Sequence, residues 1–404
     1  MNGDILFLCH RIPFPPDRGD KIRSYHLLKA LAEIAPVHVG CFADDDRDMG
    51  FASDMKAISA SQCVLRRDRS KIVAGLTGLA KRQPLLVALF DHPALRQWVA
   101  RTLAARPLAA VVAYSAQMAH FVPMLPPGVR FLMDFGDFDS AKYAAYGAQG
   151  SGPMAWINRR EGRVLLDFER AVAARADLST FVSEAEAALF RSASGLGPDK
   201  VRALDNGVAL DFFDPAADFV AVDKGQGPLI LFTGQMDYRP NVEAARSFAR
   251  DTMPAIRAMH PQARFAIVGR NPDPAVVALN RLPGVMVTGA VPDTRGWLAA
   301  ADVVVAPLRI ARGVQNKVLE AMAMARPVVI TRTGAVPSEI DVEKSGCGLF
   351  VPPNDPGALA SALVSLADNP ADAQAMGAAG RRLCESHYNI ERFAADLHRF
   401  FETF

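Results

Sequence analysis

Short apolar runs closed by Gly, Asp or Pro alternate with stretches of helical period along the whole chain. Runs at 5–9, 37–42, 111–114 and 131–135 read as strands of one sheet. Runs at 230–233, 265–268, 285–288, 303–306, 328–331 and 348–351 read as strands of a second. Most are continuous in Val, Ile, Leu, Phe and Ala rather than alternating with polar residues. That pattern belongs to strands covered on both faces, and the helical stretches between them supply the covers, so the sheets are expected to be parallel. The prediction is an α/β protein of two Rossmann-like, doubly wound domains. The turn-rich, weakly periodic stretch 205–228 marks the joint, giving domains at 1–207 and 208–385 with a helical tail.

Composition narrows the class. The chain has 404 residues, half of them hydrophobic, which suits two cores of ordinary size. A net charge of +2 argues against a nucleic-acid partner, for which a basic stripe is expected. The first apolar run is too short for a signal sequence or a membrane span, which predicts a cytoplasmic chain. Cysteines at 9, 41, 63, 347 and 384 have neither metal-site nor redox spacing and read as small buried hydrophobes. Charge is uneven in one place. Arg66, Arg67, Arg69, Lys71, Lys81 and Arg82 surround an apolar, helix-compatible segment that contains the single acid Asp68. Such a segment, 66–82, fits either a solvated helix packed on the first sheet or contact with an anionic membrane surface, making the protein peripheral on the inner face of the membrane.

Open α/β sheets bind ligands beyond the carboxyl ends of their strands, so the βα loops carry the candidate chemistry. In the first, "HRIPFPPDRGDKIRS", Gly19 allows close backbone approach, and the helix from about Lys21 offers free amides to an anion. No GxGxxG is present. In the second domain, Gly234 and Gly269 stand at strand ends where a side chain would obstruct a ligand, and Arg239 follows as a possible phosphate contact. "DDDRD" at 44–48 resembles an acidic metal motif but reads as a solvated loop, and no metal site is expected.

The most informative loop is "PLRIARGVQNKVLEAMAMARPVV". A helix from about Val314 or Gln315 would present the amides of Gly313, Val314 and Gln315, with its positive dipole end, to an anion. Arg309, Arg312 and Lys317 would surround that anion as a diphosphate cradle. Glu320, on the face of Lys317 and one turn deeper, could accept two hydrogen bonds from vicinal hydroxyls such as those of a ribose. The alternative is an ordinary Lys–Glu pair on a surface helix.

Taken in order, "PFPPDRGDKIRSYHLLKAL", "MDFGDFDSAKY", "FERAVAARADLSTFVSEAEAALF", "DNGVALDFF", "FTGQMDYRPNVEAARSF", "AIVGRNP" and "GVQNKVLEAMAMARPVV" resemble the glycosyltransferase family 4 enzymes of GT-B fold. Among these they are most similar to the sugar transferases found beside exosortase/PEP-CTERM exopolysaccharide systems. The resemblance implies two Rossmann-like domains facing a cleft, with a last helix, 386–404, crossing back to the first. It implies a retaining, metal-independent transfer from a UDP- or GDP-sugar to a saccharide or lipid-linked acceptor, with no cofactor besides the donor. Glu320 would bind the ribose, Lys317 the diphosphate, and Gly19 the phosphates from the other domain.

Several positions depart from that pattern. Arg312 stands where the first of two glutamates is usual, Gln235 where an arginine is, and Pro240 where a lysine is, leaving Arg239 to replace both cations. Tyr114 and Ser115 occupy the place of a common histidine, so Asp134 and Asp137 become the candidates for contacting the reacting sugar. Ala325 stands where a helix-ending glycine is usual. A nucleotide-sugar epimerase or hydrolase, or a non-catalytic glycan-binding scaffold, would share most of these features.

Overall fold

A computed structural model of the chain describes residues 3–309, 315–332 and 344–402. They form two compact units, Met1–Asp205 with Ala394–Phe404, and Asn206–Phe393. The first contains strands β1 (Asp4–Cys9), β2 (Val37–Ala43), β3 (Ser61–Arg66), β4 (Leu108–Tyr114), β5 (Arg130–Gly136), β6 (Leu178–Phe181) and β7 (Val201–Ala203). All pair in parallel, in the order β3-β2-β1-β4-β5-β6-β7. The second contains β8 (Leu229–Thr233), β9 (Arg264–Val268), β10 (Val285–Gly289), β11 (Val303–Ala306), β12 (Val328–Thr331) and β13 (Gly348–Val351), also parallel, in the order β10-β9-β8-β11-β12-β13. Both are doubly wound Rossmann-like sheets, as the hydrophobic pattern predicts.

Among the helices covering these sheets are α1 (Gly19–Ile34), α2 (Lys71–Ala80), α3 (Gly152–Arg175), α4 (Arg239–Ser247), α5 (Asn316–Ala323), α6 (Pro370–His387) and α7 (Ile390–Glu402). The two-sided cover is visible in how β8 and β9 divide their side chains. Ile230, Phe232, Phe265 and Ile267 enter one core, while Leu229, Leu231, Ala266 and Val268 enter another on the opposite face. Because both faces are dry, both register positions favour apolar residues, which is why the run from Leu229 to Phe232 is continuous.

The apolar pattern did not reveal β3, β6 and β7. β3 is half-buried along most of its length, β6 carries Ser179 and Thr180 at its centre, and β7 has only three residues. Ser179 and Thr180 are fully buried. Parallel pairing with β5 and β7 decides their conformation, not their own hydrophobicity.

The first unit also buries charge. Asp134, at the end of β5 and fully buried, receives Arg23 Nε at 2.9 Å and a second guanidinium nitrogen at 3.1 Å, while the Gly136 amide donates to it at 2.9 Å. Arg23, from α1, also donates to the Leu204 carbonyl at 2.9 Å. This fork ties α1 to β5 and to the end of the unit. "DDDRD" is likewise not merely solvated. Asp44 receives Arg11 at 2.7 Å and Arg67 at 2.8 Å, and Asp48 receives the buried Lys21 at 2.5 Å. These acids neutralise basic residues brought from three other segments.

Ala325 adopts φ +53°, the left-handed conformation that the sequence position demands. Its amide donates to Met322 O at 2.9 Å and that of Arg326 to Ala321 O at 2.9 Å, closing α5. Gly377 of α6 lies against this turn, where a Cβ would come within 2.1 Å of the Ala325 carbonyl.

Two stability changes are expected. Ala325→Gly should raise stability by about 1 kcal/mol in chemical denaturation, because only the left-handed strain is removed. Arg23→Met strands the Asp134 carboxylate in the core and should cost about 3–5 kcal/mol, whereas Arg23→Met with Asp134→Leu should cost much less. A double-mutant cycle that comes out additive would contradict the pairing.

Candidate functional site

In the second sheet, β8 and β11 are neighbours, yet the chain leaves them towards opposite edges, β8 to β9 and β11 to β12. This reversal opens a crevice at the carboxyl ends of those strands. The loop after β8 carries Gly234 and leads into α4, and the loop after β11 leads to α5.

Lys317, in the first turn of α5, reaches across this switch point. Its Nζ donates to Asn241 Oδ1 at 2.8 Å and lies 4.4 Å from the centre of the Phe232 ring. Asn241, in the first turn of α4 and buried, donates in turn from Nδ2 to the Gln235 carbonyl at 2.8 Å. The loop after β8 and the helix after β11 are therefore joined through one amide side chain.

The two glycines belong to this junction. A Cβ on Gly234, whose φ is +150°, would lie 2.9 Å from Asn241 Nδ2 and 3.1 Å from Lys317 Nζ. A Cβ on Gly269 would lie 1.6 Å from the Gly234 carbonyl oxygen. The Gly234 amide donates to Val268 O and that of Gly269 to Gly289 O, both at 3.1 Å. Within the protein itself, these positions must be glycine so that the loops and the lysine can meet.

Burial lowers the Lys317 ammonium to about 7, against the opposing pull of Glu320. Burial also raises the Glu320 carboxyl to about 7, which Lys317 opposes. The site therefore holds a cation and an anion that are both poorly solvated and near their titration points, as expected of groups waiting for a polar ligand. Gln315 is the residue preceding α5, and its side-chain oxygen, that of Asn316 and the Thr233 hydroxyl are buried with no protein partner among the described residues. The Val318 amide already donates to the Gln315 carbonyl at 2.9 Å.

Arg239 opens α4 but is exposed, and its Nε donates to Glu243 Oε1 at 2.7 Å, one turn along the same helix. Arg309 donates to Ser247 Oγ at 3.0 Å. Arg312, Gly313 and Val314 lie outside the described residues.

In the first unit only Gly19 follows β1 at the switch point between β1 and β4, whereas Asp134 and Asp137 lie at the end of β5, one strand further along. Gly19 is exposed as the first residue of α1, between Arg18 and Asp20. Asp20 gathers His10 at 3.0 Å, Arg11 at 2.7 Å and Arg18 at 2.6 Å. Burial alone would raise the Asp20 carboxyl, but these three partners hold it well below the usual range. Asp134 is committed to Arg23, whereas Asp137, three residues on, is exposed. The Tyr114 hydroxyl is pushed well up, chiefly by burial.

Sequence reasoning did not find Asn241 or Phe232. Asn241 sits inside "YRPN", where it reads as a helix-start residue, and Phe232 reads as one more apolar strand position. Their role depends on Lys317, 76 residues after Asn241 in the sequence.

The two Rossmann-like units define a GT-B architecture, and residues 227–369 match the family model of glycosyl transferases group 1. The matched segment lies within the second unit, Asn206–Phe393. A curated relative, the GDP-mannose-dependent monoacylated alpha-(1-6)-phosphatidylinositol monomannoside mannosyltransferase of Corynebacterium glutamicum, is 28% identical over 55% of this chain. The match spans 61% of that relative's length. Among solved structures, sucrose-phosphate synthase from Thermosynechococcus elongatus aligns with a TM-score of 0.70 and 20% identity, covering 99% of this chain and 98% of that one. HepE of Anabaena, in complex with UDP-glucose, aligns at 0.68 and 14% over the whole of both chains. WaaG, a glycosyltransferase involved in lipopolysaccharide biosynthesis, aligns at 0.66 and 16% over 97% of this chain and 99% of that one.

Glu320→Gln gives a pH-dependent test of the site. With the folded value near 7 against an ordinary 4.5, ionised Glu320 costs stability fully above pH 7 and not at all below about 4.5. The variant should therefore melt higher than the native protein at about pH 8, by a gain of about 1–2 kcal/mol. The gain should vanish as pH falls below the ordinary carboxyl range. A constant difference across that range would contradict the burial of this charge.

Proposed function

We propose that the protein is a retaining glycosyltransferase that moves a sugar from a nucleoside-diphosphate sugar to a growing, lipid-linked saccharide of an exopolysaccharide. The observation that carries this reading is the junction of Lys317, Asn241, Gly234 and Gly269 at the switch point, with Glu320 one turn deeper on α5. The Lys317 ammonium, poised between charged and neutral, becomes fully protonated beside a diphosphate and offsets the charge that develops on it as the sugar leaves. The Glu320 carboxylate accepts hydrogen bonds from the two ribose hydroxyls, which replace the water that burial has removed. The helix start at Gln315 and Asn316 adds the positive end of the α5 dipole. The C1–oxygen bond to the diphosphate breaks, a C1–oxygen bond to the acceptor hydroxyl forms, and the hydroxyl proton departs with the products.

The family match over 227–369 supports the donor side of this reading. UDP-glucose is the ligand named for HepE, and GDP-mannose is the donor named for the corynebacterial enzyme, so both bases stay in the proposal. The lipid-linked acceptor named for that mannosyltransferase supports the same class here. Lys317 and the α5 N-terminus take the charge-neutralising role in a metal-independent reaction. Arg239 joins them if its guanidinium leaves Glu243. Asp137 is the exposed acid for the sugar side, and Asp134 positions the β5 end through Arg23.

A panel of UDP- and GDP-sugars screened by thermal shift should yield a donor that raises the melting temperature. Glu320→Ala should weaken that donor at least tenfold by calorimetry and abolish transfer. Lys317→Ala should lower kcat at least a hundredfold while leaving the fold intact. NMR of the product should show the donor's anomeric configuration, and a chelator should leave the rate unchanged. Donor consumed without acceptor would instead indicate an epimerase or hydrolase, and no shift with any donor would indicate a non-catalytic scaffold.

A further inference from the structure

Helix α2 departs from the ordinary pattern of a helix covering a sheet. Its large aliphatic residues face outwards: Ile72 is 76% exposed, Val73 54%, Leu76 65% and Leu79 44%, whereas Ala74 and Gly78 are buried. The helix thus presents its small residues to the protein and its apolar bulk to solvent, the reverse of an ordinary surface helix. Each exposed Leu, Ile or Val side chain loses the burial that would normally justify placing it in a helix.

The patch extends beyond α2. Arg160 of α3 donates to the Gly78 carbonyl at 3.1 Å and to that of Gln83 at 3.3 Å, so this part of α3 lies beside the end of α2. Trp156, one turn before Arg160 on the same face of α3, is 55% exposed. An exposed indole next to a row of exposed aliphatics is the combination found where a protein meets the headgroup layer of a bilayer.

Charge selects the kind of surface. Residues 69–82 contain four basic residues and no acid. The sequence suggests that Arg66, Arg67 and Arg69 carry the attraction, but the fold gives each of them a partner, Arg66 in an ion pair that stays exposed. Arg66 pairs with Asp46, Arg67 with Asp44 at 2.8 Å, and Arg69 donates to the Asp91 carbonyl at 3.0 Å. Lys81 and Arg82, at the end of α2, are exposed. Arg163, one turn beyond Arg159 on α3, is exposed as well. No described helix is long and apolar enough to cross a membrane, so the patch would lie on a surface and not span it.

We propose that α2 together with Trp156 forms a docking face for an anionic phospholipid bilayer, with Ile72, Val73, Leu76 and Leu79 entering the headgroup layer and Lys81 and Arg82 meeting its charge. The face lies in the first unit, apart from Lys317 and Glu320, and the proposal does not depend on the transferase reading. It would keep the protein on the surface that displays lipid-linked molecules.

The test is sedimentation with vesicles of phosphatidylcholine alone and of equal parts phosphatidylcholine and phosphatidylglycerol. The native protein should pellet with the mixed vesicles, weakly with phosphatidylcholine, and less as salt is raised. Leu76→Glu should reduce binding at least tenfold, and Lys81→Glu with Arg82→Glu by at least about fivefold per site. A blue shift of tryptophan emission on mixing with anionic vesicles should be lost in Trp156→Phe, which leaves Trp98 and Trp297 in place. All these side chains are exposed, so melting temperature should be unchanged and serves as the folding control. Equal pelleting with both vesicles, native-like binding by Leu76→Glu, or no pelleting would overturn the proposal. A dimer that Leu76→Glu dissociates, without vesicle binding, would assign the face to self-association instead.

Discussion

The second unit is organised around a backbone approach that only glycine permits. The Gly234 carbonyl and the Gly269 α-carbon come so close that a single methyl group at 269 would lie only 1.6 Å from the oxygen. This contact fixes the loop after β8 against the loop after β9. Gly234 in turn leaves the space in which Asn241 and Lys317 meet. The position of the lysine is therefore set by the absence of two side chains, and a cation is held over Phe232 at the carboxyl end of the sheet.

The same junction explains how a half-buried Lys and Glu are tolerated in a helix that otherwise packs as core. Val318, Leu319, Ala321, Met322 and Ala323 are buried and hold α5 on the sheet. That packing offsets the cost of keeping two polar groups short of water. The cost is largest near neutral pH, where each group is close to titrating.

In the first unit, charge is handled differently. Arg23 and Asp134 are satisfied by one another and by backbone groups, and Asp20 and Asp44 collect four basic side chains between them. These networks hold the loops after β1, β2 and β5 in place. Asp44 also takes up Arg67, while Arg66, still exposed, pairs with Asp46 and Arg69 with Asp91, so the basic residues before α2 are each matched by an acid.

Fold class was legible in the sequence because strands dry on both faces leave a continuous apolar signature; β11–β13 have the bounds of their apolar runs, and β1, β2, β8 and β9 are each one residue longer. Lys317 and Glu320 were legible because helical spacing alone puts them on one face beyond a strand end. β6 was not, since its centre is Ser179 and Thr180 and only its neighbours make it a strand. Nor could local spacing show that Asn241 links Lys317 to the Gly234 loop, that Arg23 claims Asp134, or that distant aspartates claim the arginines before α2. Those assignments join residues 20 to 111 positions apart. They are set by strand order and by the reversal between β8 and β11, because only the folded sheet decides which loop ends become neighbours.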